Sequence, residues 1–297
     1  MEKTLNTRSM IFTLYGDYIR HYGNEIWIGS LIKLLEAFGH HEQSVRAAIS
    51  RMSKQGWVES RKEGNNSYYS LTERGVKRMN EAAGRIFKLN PGKWDGKWRF
   101  FLYTIPEKKR NIRDELRKEL MWSGFGLLLN SVWLTPNDLL DEMKGIIDKY
   151  GINEYVKIFT AENVWGKSDK ELVHELWDID YMNDRYEDFM AHYREKYESV
   201  KEKMKRGEMT NQDCFVERTM LVHNYRKLLF VDPGLPEELL PEKWKGEEAA
   251  ALFRDYYRIL AKPANDFFED IFSEGYDTFE KSKHYDVFDH PLITEKA

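Results

Sequence analysis

Residues 42–71 read EQSVRAAISRMSKQGWVESRKEGNNSYYSL, a stretch that predicts one helix followed directly by a β-hairpin. Val45, Ile49 and Met52 recur at three- and four-residue spacing, which places them on one buried face of a helix. A strand-like run follows, and residues 63–66 predict a turn because Gly and Asn tolerate positive φ. The chain then returns as a second strand, which completes the hairpin.

Two further helices precede residue 42. The first has an apolar face at helical spacing, made of Ile11, Leu14, Tyr15, Tyr18, Ile19 and Tyr22. The second begins near Ser30, and Gly39-His40-His41 connects it to a third helix at about residues 42–55. Two short helices joined by a tight turn that contains Gly indicate a helix-turn-helix, and the hairpin adds a wing. We therefore predict a winged helix-turn-helix in residues 1–88.

The outward face of the third helix indicates a function. It mixes small residues, which let the backbone approach closely, with Arg and Gln side chains that reach base edges or phosphates. A solvated helix with scattered charges would show a similar face, but the hairpin that follows favours DNA binding. The predicted DNA contacts are Gln43, Ser44, Arg46, Ser50, Arg51 and Lys54 in the helix, with Arg61, Lys62 and Tyr68 in the hairpin.

The charge distribution agrees with phosphate binding at one end of the molecule. The formal net charge of −4 is by itself unfavourable for nucleic-acid binding. Residues 1–90 nevertheless hold 14 Lys or Arg and 9 Asp or Glu, a net +5, whereas the remainder holds 32 and 41, a net −9. The basic N-terminal residues would attract a polyanion such as DNA, and the acidic remainder of the chain would repel it.

The sequence after Asn90-Pro91-Gly92 predicts two more domains. Between about residues 94 and 165, strand-like runs at 98–105, 125–134 and 155–159 alternate with two helices, as in a small ferredoxin-like sheet. From residue 168 to 297 the chain is helical and acidic, and Pro263 is expected to kink or split its last long helix. The predicted fold class is α+β, with a winged helix-turn-helix, a ferredoxin-like middle domain and a helical C-terminal domain.

Composition and motifs disfavour several classes of protein. The single cysteine, Cys214, excludes an internal disulfide and a cysteine-based metal site. The first residues do not resemble a signal peptide, and no apolar run approaches the roughly 18 residues that span a bilayer. No Gly-rich phosphate loop, Ser-His-Asp arrangement or metal motif is found in the sequence. We therefore expect a cytoplasmic protein that is not an enzyme, with no catalytic residues, metal, cofactor or membrane association.

Short motifs are spread over nearly the whole chain in the order of one known family. They are GNEIWIGSL at 23–31, VR at 45–46 with RM at 51–52 and GW at 56–57, SYY at 67–69 with LT at 71–72, WDG at 94–96, GFG at 124–126, VWLTP at 132–136, HNYR at 223–226 and DPGLP at 232–236. Together they resemble the PaaX-type transcriptional repressors of phenylacetate degradation. The wing tip departs from the family pattern, because Asn65-Asn66 stand where basic residues usually follow the Gly.

The resemblance implies a repressor that an aryl-CoA thioester such as phenylacetyl-CoA releases from double-stranded operator DNA. We expect a homodimer, because two-fold symmetry lets two recognition helices meet half-sites about one helical turn apart. The candidate effector-binding residues are His223, Tyr225 and Arg226, and Arg226 would suit the phosphates of a large anion. The alternative for His223 is a purely structural histidine.

The resemblance also implies an enzymatic alternative. The middle segment resembles the CRISPR-associated ferredoxin-like nucleases, which need an acidic residue near the end of the first strand to hold a metal ion. The run Arg99–Ile105 contains no such residue, and Asp95 lies before the strand. A metal-dependent nuclease is therefore the second hypothesis, and we expect the middle domain to serve dimerisation or relay instead.

Overall fold

The structure, a computed structural model, describes residues 5–87 and 93–279, without the side chains of residues 81–87. The break predicted at residues 90–92 lies outside this range. The chain divides into two compact units. The first combines residues 1–88, 189–226 and 249–297, and the second combines residues 89–188 and 227–248. The three domains predicted from the sequence, at residues 1–88, 94–165 and 168–297, are a different division and stay a prediction.

The N-terminal part of the first unit consists of helices and one three-stranded antiparallel sheet. In chain order these elements are α1 Thr7–Asp17, β1 Glu25–Trp27, α2 Ile28–Glu36, α3 Glu42–Lys54, β2 Val58–Glu63, β3 Asn66–Leu71 and α4 Glu73–Phe87. β3 lies between β1 and β2 and pairs with both. The predicted helices and the hairpin are confirmed, but the first helix ends at Asp17, and Ile19–His21 form a separate 3-10 turn. The sequence does not predict β1, because three residues are too few to show a period.

The buried face of α3 is the one that its spacing predicts. Val45, Ile49 and Met52 are buried, and Ala48 completes the face. The helix ends before Gly56, whose φ of +70° is a left-handed conformation that glycine adopts without strain. Because one side of α3 is buried in this way, the opposite side is the one presented to solvent.

Long helices supply the C-terminal part of the first unit. They are α8 Ile179–Lys205, α9 Asn211–Leu229 and α10 Gly246–Ser273. The start of α8, the end of α9 and the start of α10 belong to the second unit. Pro263 lies inside α10 and does not split it. A proline removes one helical hydrogen bond, but Leu260, Ala264 and Phe268 are fully buried on either side, and this packing offsets the loss.

A buried ion pair joins α1 to α9 and α10. Arg218 Nη2 lies 3.0 Å from Asp17 Oδ1, and both side chains are almost fully buried. The remaining groups are satisfied, because Arg218 donates to Asn265 at 2.8 Å and Tyr257 donates to Asp17 at 2.8 Å. Burial alone would lower the pKa of Arg218, but the charge of Asp17 outweighs it and the pKa is raised. The three helices therefore share one core.

The end of α10 also contacts the three-stranded sheet. Tyr68 on β3 donates its hydroxyl to the carbonyl oxygen of Gly275, just after α10. Tyr276 donates to the carbonyl oxygen of Glu25 on β1 at 2.9 Å, and the two tyrosine rings lie 5.6 Å apart. Strands β1 and β3 are thus held by residues that lie more than 200 positions away in the chain.

The second unit contains a four-stranded antiparallel sheet. Its elements are β4 Trp98–Tyr103, α5 Arg110–Trp122, β5 Gly126–Leu129, β6 Val132–Thr135, α6 Leu140–Tyr150, β7 Val156–Ala161 and α7 Asp169–Leu176. The strand order is β5-β6-β4-β7, and neighbouring strands are antiparallel. The strand-like run predicted at 125–134 is a hairpin of two strands, because the chain turns at residues 130–131.

Both faces of this sheet are covered over part of their area. On one face Leu116 and Leu120 of α5 and Met143 of α6 pack against Phe101 and Trp133. On the other face Trp98 and Leu134 pack against residues that follow the sheet, namely Val173, Ile179, Met182, Leu235 and Leu239. The sheet is therefore the centre of two apolar cores within the second unit.

Candidate nucleic-acid interface

The six predicted DNA contacts on α3 lie on its solvent-exposed side. All of them are exposed, namely Gln43, Ser44, Arg46, Ser50, Arg51 and Lys54. Ala47 between them is exposed as well. The helix therefore presents a continuous surface on which short side chains alternate with two guanidinium groups, one amide and one ammonium group. These are the groups that hydrogen-bond to base edges and phosphates.

The two arginines of α3 are held only loosely. Arg46 Nε lies 2.7 Å from Glu42 Oε1, and both side chains are more than half exposed. Such an exposed pair contributes at most about 1 kcal/mol, so a phosphate or a base can replace Glu42 at little cost. Arg51 Nε donates to the carbonyl oxygen of Ala47 at 3.2 Å, and no ion pair of Arg51 is found among the described residues.

Arg61 in the hairpin is neutralised by two carboxylates. Its Nη2 lies 2.8 Å from Glu25 Oε1 on β1, and its Nη1 lies 2.6 Å from Glu63 Oε2 on β2. Hydrogen bonds to Glu25 and then to Glu63 raise the pKa of Arg61. Its charge is thus largely compensated within the protein. Lys62 is exposed next to it.

Tyr68 occupies a different position from the other predicted contacts. It is 5% exposed, and its hydroxyl is bound to Gly275. The guanidinium of Arg61 lies 4.5 Å from the centroid of its ring. In this conformation Tyr68 therefore supports Arg61 from inside the hairpin, and the ring does not face solvent.

The fold adds cationic groups that the sequence does not single out. A cleft of about 290 Å³ lies between the start of α1 and the end of α3, and Arg8 and Gln55 line it together with Arg51. Arg74 on α4 lies 4.5 Å from the ring centroid of Trp57. No periodicity identifies these residues, because their relevance depends on α1 packing beside α3 and on α4 packing against α1.

The three predicted effector-binding residues lie inside the first unit. His223 is 2% exposed, and its Nδ1 lies 2.9 Å from the hydroxyl of Thr13 on α1. Tyr225 is also 2% exposed and stacks on Phe253 with ring centroids 4.0 Å apart. None of the three lines the cleft beside α3.

Arg226 is the most polar member of this group and is partly buried. Its Nη2 donates to the carbonyl oxygen of Ser9 at 2.9 Å, and burial lowers its pKa to about 10. His223 and Arg226 therefore both hydrogen-bond to α1, the helix that flanks the cleft beside α3.

The second unit offers no support for a nuclease site. Asp95, the acid that precedes the first strand, forms an ion pair with Arg99 at 2.7 Å, and the hydrogen bond from Arg99 lowers its pKa. Among residues 5–87 and 93–279, no three His, Cys, Asp or Glu side chains are grouped so that they could hold a metal ion. A search of the same residues finds no helix that is long and apolar enough to cross a membrane.

Comparisons with known proteins give one family along the chain. The family models that match are described as PaaX-like protein at residues 6–75, PaaX protein central Cas2-like domain at residues 91–173 and PaaX-like protein C-terminal domain at residues 177–270. The chain is 35% identical over 259 residues to the transcriptional repressor PaaX of Escherichia coli strain K12, covering 86% of this chain and 81% of that protein.

A solved structure is also similar in fold. It is an uncharacterized protein from Mycobacterium tuberculosis, with 23% identity, a TM-score of 0.50 and coverage of 80% of this chain and 89% of that chain. With three successive family models matched and a relative above 30% identity over most of the sequence, the chain belongs to the PaaX family.

Proposed function

We propose that this protein is a transcriptional repressor that binds double-stranded operator DNA through a winged helix-turn-helix in residues 1–88. The observation that carries this proposal is the exposed face of α3, where Arg46, Ser50 and Arg51 are free of the core. The name of the Escherichia coli relative, a transcriptional repressor, supports the same function. The protein is then a regulator and not an enzyme, and no observation favours the nuclease hypothesis.

In this proposal α3 is the recognition helix and enters the major groove. Arg46 and Gln43 would bind base edges, because Arg pairs bidentately with guanine and Gln with adenine. Ser44 and Ser50 let the helix approach closely, and Lys54 binds a phosphate. In the hairpin, Lys62 contributes a phosphate contact, and Arg61 does so only after it has left Glu25 or Glu63.

We further propose that two copies bind one operator. Two-fold symmetry places two recognition helices at half-sites about one helical turn apart. The four-stranded sheet of the second unit is proposed to be ferredoxin-like and to serve dimerisation or relay. Its order β5-β6-β4-β7 with one helix after β4 and one after β6 supports this topology.

The proposed effector is an aryl-CoA thioester, phenylacetyl-CoA in the first instance, and the regulated genes are those of aromatic-acid catabolism. His223, Tyr225 and Arg226 remain the candidate effector-binding residues. Because His223 and Arg226 bind Thr13 and Ser9 of α1, a ligand that displaced them would disturb the helix next to α3. Coupling of this kind amounts to about 1–3 kcal/mol between two sites.

The test is a titration of the protein with DNA from upstream of its own and neighbouring genes. Fluorescence anisotropy at two salt concentrations, with and without phenylacetyl-CoA, reports both sequence preference and effector response. We expect tight binding that unrelated competitor DNA does not displace and that the thioester weakens. Binding that is weak, strongly salt-dependent and without sequence preference would overturn the proposed function. Specific binding that phenylacetyl-CoA does not change would overturn only the proposed identity of the effector.

A further inference from the structure

The cleft between the start of α1 and the end of α3 has the composition of an anion site. It has a volume of about 290 Å³ and is lined by Asn6, Thr7, Arg8, Ala48, Arg51 and Gln55. None of these six residues is acidic, and two carry a guanidinium group. Asn6, Arg51 and Gln55 are exposed, so the cleft opens to solvent.

The two arginines reach the cleft from different helices. Arg8 comes from the first turn of α1, and Arg51 comes from the last turn of α3. Arg51 is anchored through Nε on the carbonyl oxygen of Ala47, and Arg8 lies 5.6 Å from the ring centroid of Phe12. No ion pair to a carboxylate is seen for either arginine in the described part of the chain. Both guanidinium groups are therefore available to an anionic ligand without first breaking an ion pair.

The chemistry of this lining selects a phosphate group. A guanidinium is planar and presents its N–H groups in a fork that matches two phosphate oxygens. The amide of Gln55 adds a neutral donor beside the two cations. A cationic ligand would be repelled there, because the formal charges of the lining residues are all positive.

We propose that this cleft binds a phosphate of the DNA backbone beside the groove that α3 enters. This assignment rests on the proposed DNA-binding function and adds Arg8 and Gln55 to it. Arg51 then serves the backbone phosphate, whereas Arg46, five residues earlier on α3, faces the bases. A phosphate contact positions the helix but carries no sequence information by itself. The phosphates of a CoA thioester have the same chemistry and are the alternative source of the ligand.

The experiment compares Arg8→Ala with the wild-type protein on operator and on unrelated DNA between 50 and 200 mM salt. Each neutralised phosphate contributes roughly 0.9 to the slope of log K against log salt concentration. We expect Arg8→Ala to reduce that slope by about 0.9 on both DNAs and to leave the preference for the operator unchanged. The advantage of wild type over the variant should then shrink about threefold across this salt range.

Matched variants make the result specific. Arg206→Ala removes one exposed positive charge elsewhere in the same unit and should leave the slope unchanged. Gln55→Ala, at a surface position, should weaken binding to both DNAs without changing the salt slope, since it removes a neutral donor. Circular dichroism melting checks that each variant is folded.

An Arg8→Ala variant that is folded and keeps the wild-type slope would overturn the phosphate site while the proposed function stands. If Arg8→Ala instead weakens binding of coenzyme A alone and keeps the slope on DNA, the ligand is the effector and the DNA assignment is wrong. If the wild-type protein itself shows no preference for the operator over unrelated DNA, the proposed function is overturned.

Discussion

Helices α3 and α9 belong to the same compact unit and both carry arginines, but the arginines of α3 are exposed and those of α9 are buried or partly buried. Arg46 on α3 has one exposed partner, Glu42, in its own helix. Arg218 on α9 has a buried partner, Asp17, on another helix. Arginine is thus a surface residue in α3 and a core residue in α9. The groups around each side chain determine which of these roles it has.

The difference lies in what each charge gains from its partner. An exposed ion pair gains little because water already solvates both groups, so Arg46 can exchange Glu42 for DNA. A buried guanidinium has lost its water and depends on protein acceptors instead, here Asp17, Asn265, Tyr257 and the carbonyl oxygen of Ala261. Arg218 is therefore expected to determine stability, and Arg46 is expected to determine DNA affinity.

The largest expected effect is that of Arg218→Ala on stability. The substitution leaves the carboxylate of Asp17 buried without its ion partner, and this loss should lower the free energy of unfolding by about 3–5 kcal/mol. Denaturant titration followed by circular dichroism measures it. The double variant Asp17→Ala with Arg218→Ala removes the stranded charge, so it should lose less than the sum of the two single variants. Strict additivity would show that the pair is not coupled.

The next effect is that of Arg46→Ala on operator binding. Loss of a base-reading arginine should weaken operator affinity by about 1–3 kcal/mol, or roughly 5- to 150-fold, and relax sequence preference at the base pair that Arg46 reads. Stability should change by less than about 0.5 kcal/mol, because the side chain is exposed and away from the core. Arg206→Ala is the charge-matched control. Unchanged operator affinity in Arg46→Ala would show that α3 is not the recognition helix.

The smallest effect is expected from Glu25→Gln in the sheet. The substitution releases Arg61 from one of its two carboxylates and makes its charge available to a phosphate. DNA affinity should rise, by no more than about fivefold, because the lost pair is partly exposed and therefore weak. Glu59→Gln, on the exposed surface of β2, makes the same charge change, and no contact of Glu59 with Arg61 is found among the described residues. Equal gains in both variants would mean that net charge alone is responsible.

The core of the N-terminal part could be predicted because its information is local. Val45, Ile49 and Met52 repeat with the period of a helix, and the turn at residues 63–66 follows from Gly and Asn alone. The same local pattern separates the exposed face of α3 from its buried face, so all six predicted contacts on that helix are exposed.

The surroundings of the site could not be predicted in the same way. Arg61 is exposed as expected, but it is neutralised by Glu25, which lies 36 positions away on a strand too short to show a period. The sequence around Tyr68 shows only the pattern of a hairpin strand, yet the Tyr68 hydroxyl donates to the carbonyl oxygen of Gly275, 207 positions away. Arg8 gains its place in the cleft only because α1 packs beside α3.

The sequence by itself therefore determined the type of most elements, the buried face of α3 and the family to which the chain belongs. Only the tertiary structure decided which charges are compensated and which are exposed, as in Arg218 with Asp17 across 201 positions. The physical reason is that periodicity acts within one element, whereas the state of a charge depends on solvent and on groups that distant elements bring within a few ångströms.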